Sequence, residues 1–86
     1  MKISHTKNSR RDFQKLPSEI QKIAEKQLKL FANNPFHSSL GVKKVQGVKG
    51  IWEGRITKRI RFTFHISGDV YLIRRIGKHN EVLKRP

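Results

Sequence analysis

Between Ile51 and Ile66 two runs set apolar residues against polar ones at alternate positions, the period of β-strands. Ile60, Phe62, Phe64 and Ile66 alternate without a break against Arg59, Arg61, Thr63 and His65. Upstream, Ile51–Ile56 sets Trp52 and Ile56 against Glu53 and Arg55. Side chains two positions apart share a face of the sheet. One face can therefore build a core, while the other presents cations, a carboxylate and imidazoles. Ser67-Gly68-Asp69 reads as a hairpin turn. The run after it, Val70–Ile76, is more continuously apolar, as central strands often are, and leads into Gly77-Lys78-His79.

The first half of the chain has a helical period. Residues 1–6 form a short first or edge strand, with β-branched Ile3 and Thr6. Asn8 or Ser9 can cap a helix that runs to Lys15 and offers Phe13 and Leu16 as apolar contacts. Pro17 interrupts it, and Ser18 followed by Gln21 has the spacing of a capping box. Ile20, Ile23, Ala24, Leu28 and Phe31 mark one face of a second helix; Glu19, Lys22, Glu25, Lys26 and Lys29 lie on its other faces. Asn33-Asn34-Pro35 ends it. Little chain separates the two helices, which predicts an antiparallel hairpin. Residues 36–41 read as loop, and residues 42–48 as a short strand or an extended approach to one. The expected fold is α+β: an N-terminal strand and a two-helix antiparallel hairpin packed on a mainly antiparallel sheet of three to four strands. At 86 residues it is a single domain spanning residues 1–86.

A chain this short buries only about 60% of its unfolded surface, so its core is small. Twenty Lys and Arg stand against six Asp and Glu, for a net charge of +14. Such a domain repels itself, and an anionic partner relieves the repulsion. Nucleic acid is the first candidate, because neutralising phosphates releases counterions. An acidic protein is the second, and a merely basic soluble protein is the alternative to both. There is no cysteine, which excludes disulfides, thiolate metal sites and cysteine nucleophiles. No apolar run approaches the roughly 20 residues of a membrane span, and no signal-peptide core is visible. A cytoplasmic protein without membrane partners is the expectation.

Several side chains could carry chemistry. Glu53 and Arg55 share one strand face, and Arg61 and His65 share another one strand later. An arginine fork matches phosphate oxygens, and a carboxylate or imidazole within reach of a hydroxyl can act as general base. The plain alternative is a solvated strand face whose cross-strand charge pairs are worth up to about 1 kcal/mol each. His79 follows a glycine and a lysine at a strand end, where loops often hold functional groups; an ordinary exposed histidine is the alternative. Lys43, Lys44 and Lys49, with Arg59 and Lys78, are candidate phosphate-positioning residues. Trp52 and Tyr71 could stack on a base, although the alternation of Trp52 with Ile56 favours core packing. His5 and His37 suggest no role. The histidines at 5, 37, 65 and 79 lack metal-ligand spacing, and neither a metal nor a cofactor is expected.

Five segments taken together resemble the RelE/ParE superfamily of toxin–antitoxin toxins. They are Phe13-x-x-Leu16-Pro17-x-x-Ile20, Asn34-Pro35-x-His37-x-x-Leu40, Gly50-Ile51-Trp52-Glu53-x-Arg55-Ile56, Ile60-Arg61-Phe62 and Ile76-Gly77-x-His79-x-x-x-Leu83. The resemblance implies a microbial-RNase-like fold, ribosome-dependent cleavage of mRNA and restraint by a cognate antitoxin. By the same resemblance Glu53, Arg55, Arg61 and His79 form the catalytic set. Glu53 or His79 would remove the ribose 2′-OH proton, Arg55 and Arg61 would stabilise the phosphorane-like transition state, and His79 could protonate the leaving oxygen. Leu83 stands where many members of the family carry an aromatic residue. Two alternatives are a ParE-like inhibitor of DNA gyrase and a non-catalytic RNA- or ribosome-binding module.

Overall fold

The computed structural model describes residues 2–86; Met1, part of the expected first strand, lies outside the described residues. The order of elements is β1 (Lys2–His5), α1 (Lys7–Lys15), α2 (Ser18–Asn33), a 3-10 turn (Ser38–Leu40), β2 (Lys43–Lys44), β3 (Trp52–Arg55), β4 (Ile60–Ser67), β5 (Val70–Lys78) and α3 (His79–Lys84). The strands form one sheet in the order β1-β5-β4-β3-β2. β1 runs parallel to β5, and the other pairings are antiparallel. The fold class is the expected one. The sheet has five strands once β1 and the two-residue β2 are included.

Both helix starts differ from expectation. Thr6 caps α1, accepting a hydrogen bond from the Ser9 amide at 3.1 Å and donating its hydroxyl to the Arg74 carbonyl at 2.9 Å. Asn8 and Ser9 are therefore inside the helix, and Ser9 is wholly buried. Thr6 is the better cap because its amide also donates to the Ile73 carbonyl at 2.9 Å, so the turn out of β1 is fixed from both sides. At α2 Pro17 occupies the cap position and no side chain caps the helix. Gln21 does not close a capping box; its amide donates to the Phe13 carbonyl at 2.9 Å and ties the two helices together.

The helix period and the strand period meet at Phe31. Its ring centroid lies 5.1 Å from Phe62, 4.7 Å from Phe64 and 5.2 Å from Tyr71. Ala24, Leu40, Ile56, Ile73 and Ile76 complete this layer. Fully burying each large apolar side chain contributes roughly 1.5–3 kcal/mol. Gly54 is needed here: a Cβ at that position would stand 2.3 Å from Phe62 Cζ, so only glycine lets the Phe62 ring lie over β3.

The polar face of the strands is not the open surface that the alternation suggests. α3 lies across it, with Val82 only 1% exposed and close against Gly77. Thr63 is wholly buried and donates to the Pro86 carbonyl at 3.1 Å, and Glu53 is 4% exposed. A register shift between Thr63 and Phe64 leaves Arg74 as an extra residue on β5. Two consecutive arginines consequently reach the same segment. Arg74 Nε donates to the Pro86 carbonyl at 3.1 Å, and Arg75 Nη1 donates to the Arg85 carbonyl at 3.4 Å.

Beyond His5, the edge of β5 is no longer covered by β1. Asp12 from α1 takes over: it accepts from the Ile76 amide at 3.0 Å and from Arg75 Nε at 2.7 Å. The pair with Arg75 is the one salt bridge among the described residues, and the carboxylate raises the arginine's pKa. Of the twenty Lys and Arg, all but Arg75 are therefore without a salt-bridge partner among the described residues.

Candidate nucleic-acid interface

The end of the sheet where β4 begins and β5 finishes opens into a cleft of about 850 Å³. Thr57-Lys58-Arg59-Ile60-Arg61 forms one wall, and Lys78-His79-Asn80 forms another. Pro17 and Ile20, at the start of α2, close the third side. The cations Lys58, Arg59, Arg61 and Lys78 line it together with the His79 imidazole, and none of the lining residues is acidic. An anion entering this cleft meets only positive or neutral groups.

The walls are held by the backbone. Ile60 and Lys78 are register partners, and the His79 amide donates to the Arg59 carbonyl at 3.0 Å, which joins the start of α3 to the start of β4. The turn before β4 is stabilised by Thr57, whose hydroxyl accepts from the amides of Arg59 and Ile60 at 3.2 and 3.0 Å. The amides of Ile56 and Thr57 both donate to the Ile60 carbonyl. Within this frame Arg61 is half-buried. Its Nη2 donates to the Lys58 carbonyl at 3.0 Å, while its Nε is buried and has no partner. A buried donor without a partner is costly unless something fills the role.

The cleft brings together Arg59, Arg61, Lys78 and His79 from the sequence-based candidates. Glu53 and Arg55 are not among its lining residues. Glu53 sits buried in the row Lys43–Glu53–Thr63–Arg75 that crosses the sheet. Arg55 faces Arg61 across the β3–β4 pair, and its guanidinium turns toward Gly41, where an added Cβ would lie 3.6 Å from Nη2. Lys43 and Lys44 form β2 at the far edge of the sheet, and Lys49 follows in the β2–β3 connection. Lys58 lines the cleft but was not a candidate. Its cue was available in the Thr57-Lys58-Arg59 turn between two alternating runs. His79, read from the sequence as a strand-end loop residue, is the first residue of α3. His65 stands apart from the cleft with Nδ1 3.1 Å from Arg74 Nη1. His37 accepts from the Ser39 amide at 3.1 Å and caps the 3-10 turn.

Among the described residues no helix is long and apolar enough to cross a membrane, and no cluster of His, Asp and Glu has the arrangement of a metal site.

No protein-family model matches the sequence, and no curated protein shows significant similarity to it. Solved structures do match the fold. The YoeB/ParE toxin from Agrobacterium tumefaciens superposes with a TM-score of 0.76 at 22% identity, covering 92% of this chain and 99% of that one. YafQ from Escherichia coli gives 0.77 at 13% identity, covering 93% and 94%. A chain of the RelB–RelE antitoxin–toxin complex from Methanococcus jannaschii gives 0.76 at 19% identity, covering 96% and 99%. The chain thus has the fold of the RelE/ParE-type toxins along nearly its whole length, and at these identities the likeness is one of fold.

Proposed function

We propose that this protein is the toxin of a toxin–antitoxin pair and acts as a ribosome-dependent endoribonuclease that cuts mRNA. The observation that carries this reading is the cleft in which a half-buried Arg61 stands among other cations together with one imidazole. The likeness of fold to solved toxins supports it.

In this reading the scissile phosphate sits against Arg61, with Arg59, Lys58 and Lys78 neutralising the flanking backbone. Arg55, exposed beside Arg61, contacts the strand just outside the cleft. His79 takes the proton from the ribose 2′-OH. The oxygen attacks the adjacent phosphorus, the bond to the 5′-oxygen breaks, and the leaving oxygen takes a proton from water. The products are a 2′,3′-cyclic phosphate and a 5′-hydroxyl. Arg61 stabilises the extra charge on the phosphorane-like transition state, an electrostatic role. The dependence on a 2′-OH makes the substrate RNA. Because in-line attack places nucleophile and leaving group on opposite sides of the phosphorus, one imidazole serves one of them. Glu53, buried away from the cleft lining, keeps a structural role in the sheet. The natural partner is an antitoxin whose acidic, amphipathic segment neutralises the basic surface, and the site of action is the cytoplasm, on translating ribosomes.

The test is cleavage of a translated message mapped by primer extension. Wild-type protein should create new 5′ ends. Arg61→Ala and His79→Ala should each lower the rate about 10²–10⁴-fold, as loss of an acid/base or oxyanion-stabilising group does. Stalled ribosomes without new ends would replace cleavage by binding, and inhibition of DNA supercoiling by gyrase would replace it by the gyrase reading.

A further inference from the structure

We propose that the β2–β3 edge of the sheet holds a second nucleic-acid site, separate from the cleft. There Phe36 and Trp52 stack an unpaired base, and Lys44 and Lys49 neutralise the flanking phosphates. Phe36 is 65% exposed, the most exposed large apolar side chain among the described residues. It follows Pro35 in the chain that leaves α2, and its ring stands edge-on to Trp52 with centroids 6.5 Å apart and planes 72° apart. Trp52 in turn lies nearly parallel to Phe64 at 15°, and Phe64 nearly parallel to Tyr71 at 19°. The aromatic column that forms the core therefore continues outward until its last ring meets solvent. A solitary exposed phenylalanine needs no explanation. One that stands edge-on at the outer end of a row of packed aromatic rings, beside cations, can serve as a stacking platform of the kind that holds single-stranded nucleic acid.

The cations are in place. Lys44 is the register partner of Trp52, and its Nζ lies 5.4 Å from the Trp52 ring centroid. Lys44, Lys49 and Trp52 line an open cleft of about 640 Å³ with Gly47, Gly50, Val48 and neighbouring backbone. Gly47 and Gly50 both have φ of 79°, and a Cβ at either would meet nothing within 4 Å, so the loop leaves this cleft open to a strand backbone. No lining residue is acidic. The occupant must be anionic, because these lysines belong to a chain of net charge +14 with one salt bridge among its described residues. It must also present a flat π-face, because the platform is aromatic and not aliphatic. An unpaired nucleotide in a single strand meets both requirements; a duplex, whose bases are already stacked, meets only the first. The site stands whether or not the cleft cleaves RNA.

Trp52 is the only tryptophan in the chain, so its fluorescence reports on this site alone. Titrating the whole protein with 2′-O-methyl oligouridylate, which has no free 2′-OH to be attacked, should quench Trp52 saturably. Phe36→Ala, at a position too exposed to be needed for folding, should weaken binding at least fivefold, since losing one stacking ring costs about 1–3 kcal/mol. Lys44→Ala with Lys49→Ala should flatten the dependence of log affinity on log salt by about 1.4. The double variant Arg61→Ala, His79→Ala should still be quenched. The proposal is overturned if the oligonucleotide does not quench, if Phe36→Ala binds as wild type does, or if the cleft double variant abolishes quenching. It is also overturned if a blunt RNA duplex or a polyglutamate peptide quenches equally well, which would make the patch a general anion or protein surface. Cleavage is not read in any arm, so failure here leaves the nuclease reading untouched.

Discussion

Phe62 and Thr63 are neighbours in the chain, both wholly buried, and they point to opposite faces of the same sheet. Phe62 enters a layer of interlocking aromatic rings under α2. Thr63 enters a layer closed by a six-residue helix and held by side-chain hydrogen bonds to the carbonyls of Arg85 and Pro86. The first face is stabilised by apolar area and shape, the second by a few directed contacts. The second also has a functional consequence. α3 begins with His79 and is anchored by Val82, so the element that covers the polar face also sets the imidazole at the cleft. Changes on the first face should act on stability, and changes on the second should reach the cleft.

Phe62→Ala tests the apolar face at its centre. It should cost about 3–5 kcal/mol in urea unfolding, because the surrounding rings cannot collapse into the space. Asp12→Ala tests the edge between the faces. It leaves the Ile76 amide and Arg75 without their shared acceptor and should cost about 2 kcal/mol in the same measurement. Thr63→Val tests the polar face with almost no change in volume. It should cost only about 1 kcal/mol, because the Pro86 carbonyl keeps its bond from Arg74. The comparison sharpens in hydrogen exchange: Thr63→Val should speed exchange in α3 while leaving α2 unchanged, and Phe62→Ala should affect both. Equal effects on the two helices in both variants would mean that the faces are not energetically distinct.

The apolar face was legible because periodicity is a property of the sequence itself. The spacing of Ala24, Leu28 and Phe31 and the alternation of Phe62 and Phe64 each pointed at one core, and the rings meet there. Arg61 and His79 were candidates from the sequence, the first on a strand face and the second at a strand end, and the cleft brings the two together. What alternation cannot say is whether the other face sees water. Glu53 and Thr63 read as surface residues because α3 has only Val82 and Leu83 to declare itself, too little for a helical pattern. The bulge at Arg74 was hidden for a related reason, since a single extra residue leaves no compositional trace. The Asp12 contact depends on where β1 stops along β5, a tertiary fact. Glu53 and Arg55 were grouped with Arg61 by the family resemblance; the register puts them on one sheet face, but sharing a face is weaker than sharing a cleft.

The smallest expected effect lies at the junction of β1 with the helices and depends on pH. His5 is half-buried, with Nδ1 2.8 Å from the Ser9 hydroxyl, in a groove lined by Arg10, Phe13, Glu25, Leu28 and Lys29. Burial lowers its pKa below the ordinary value of 6.5, and the charge of Arg10 lowers it further. The folded protein therefore holds a neutral ring at a pH where the unfolded chain has begun to take up a proton. Stability is unaffected well above about pH 6.5, falls as pH drops below that value, and levels off once the folded ring is also charged. Replacing the imidazole by an amide that cannot titrate, His5→Gln, should remove this part of the acid sensitivity. The urea midpoints of wild type and variant, compared at pH 7.5 and pH 5, should draw closer together or cross as the pH falls. A constant gap between them would mean that His5 titrates in the folded protein as it does in the unfolded chain.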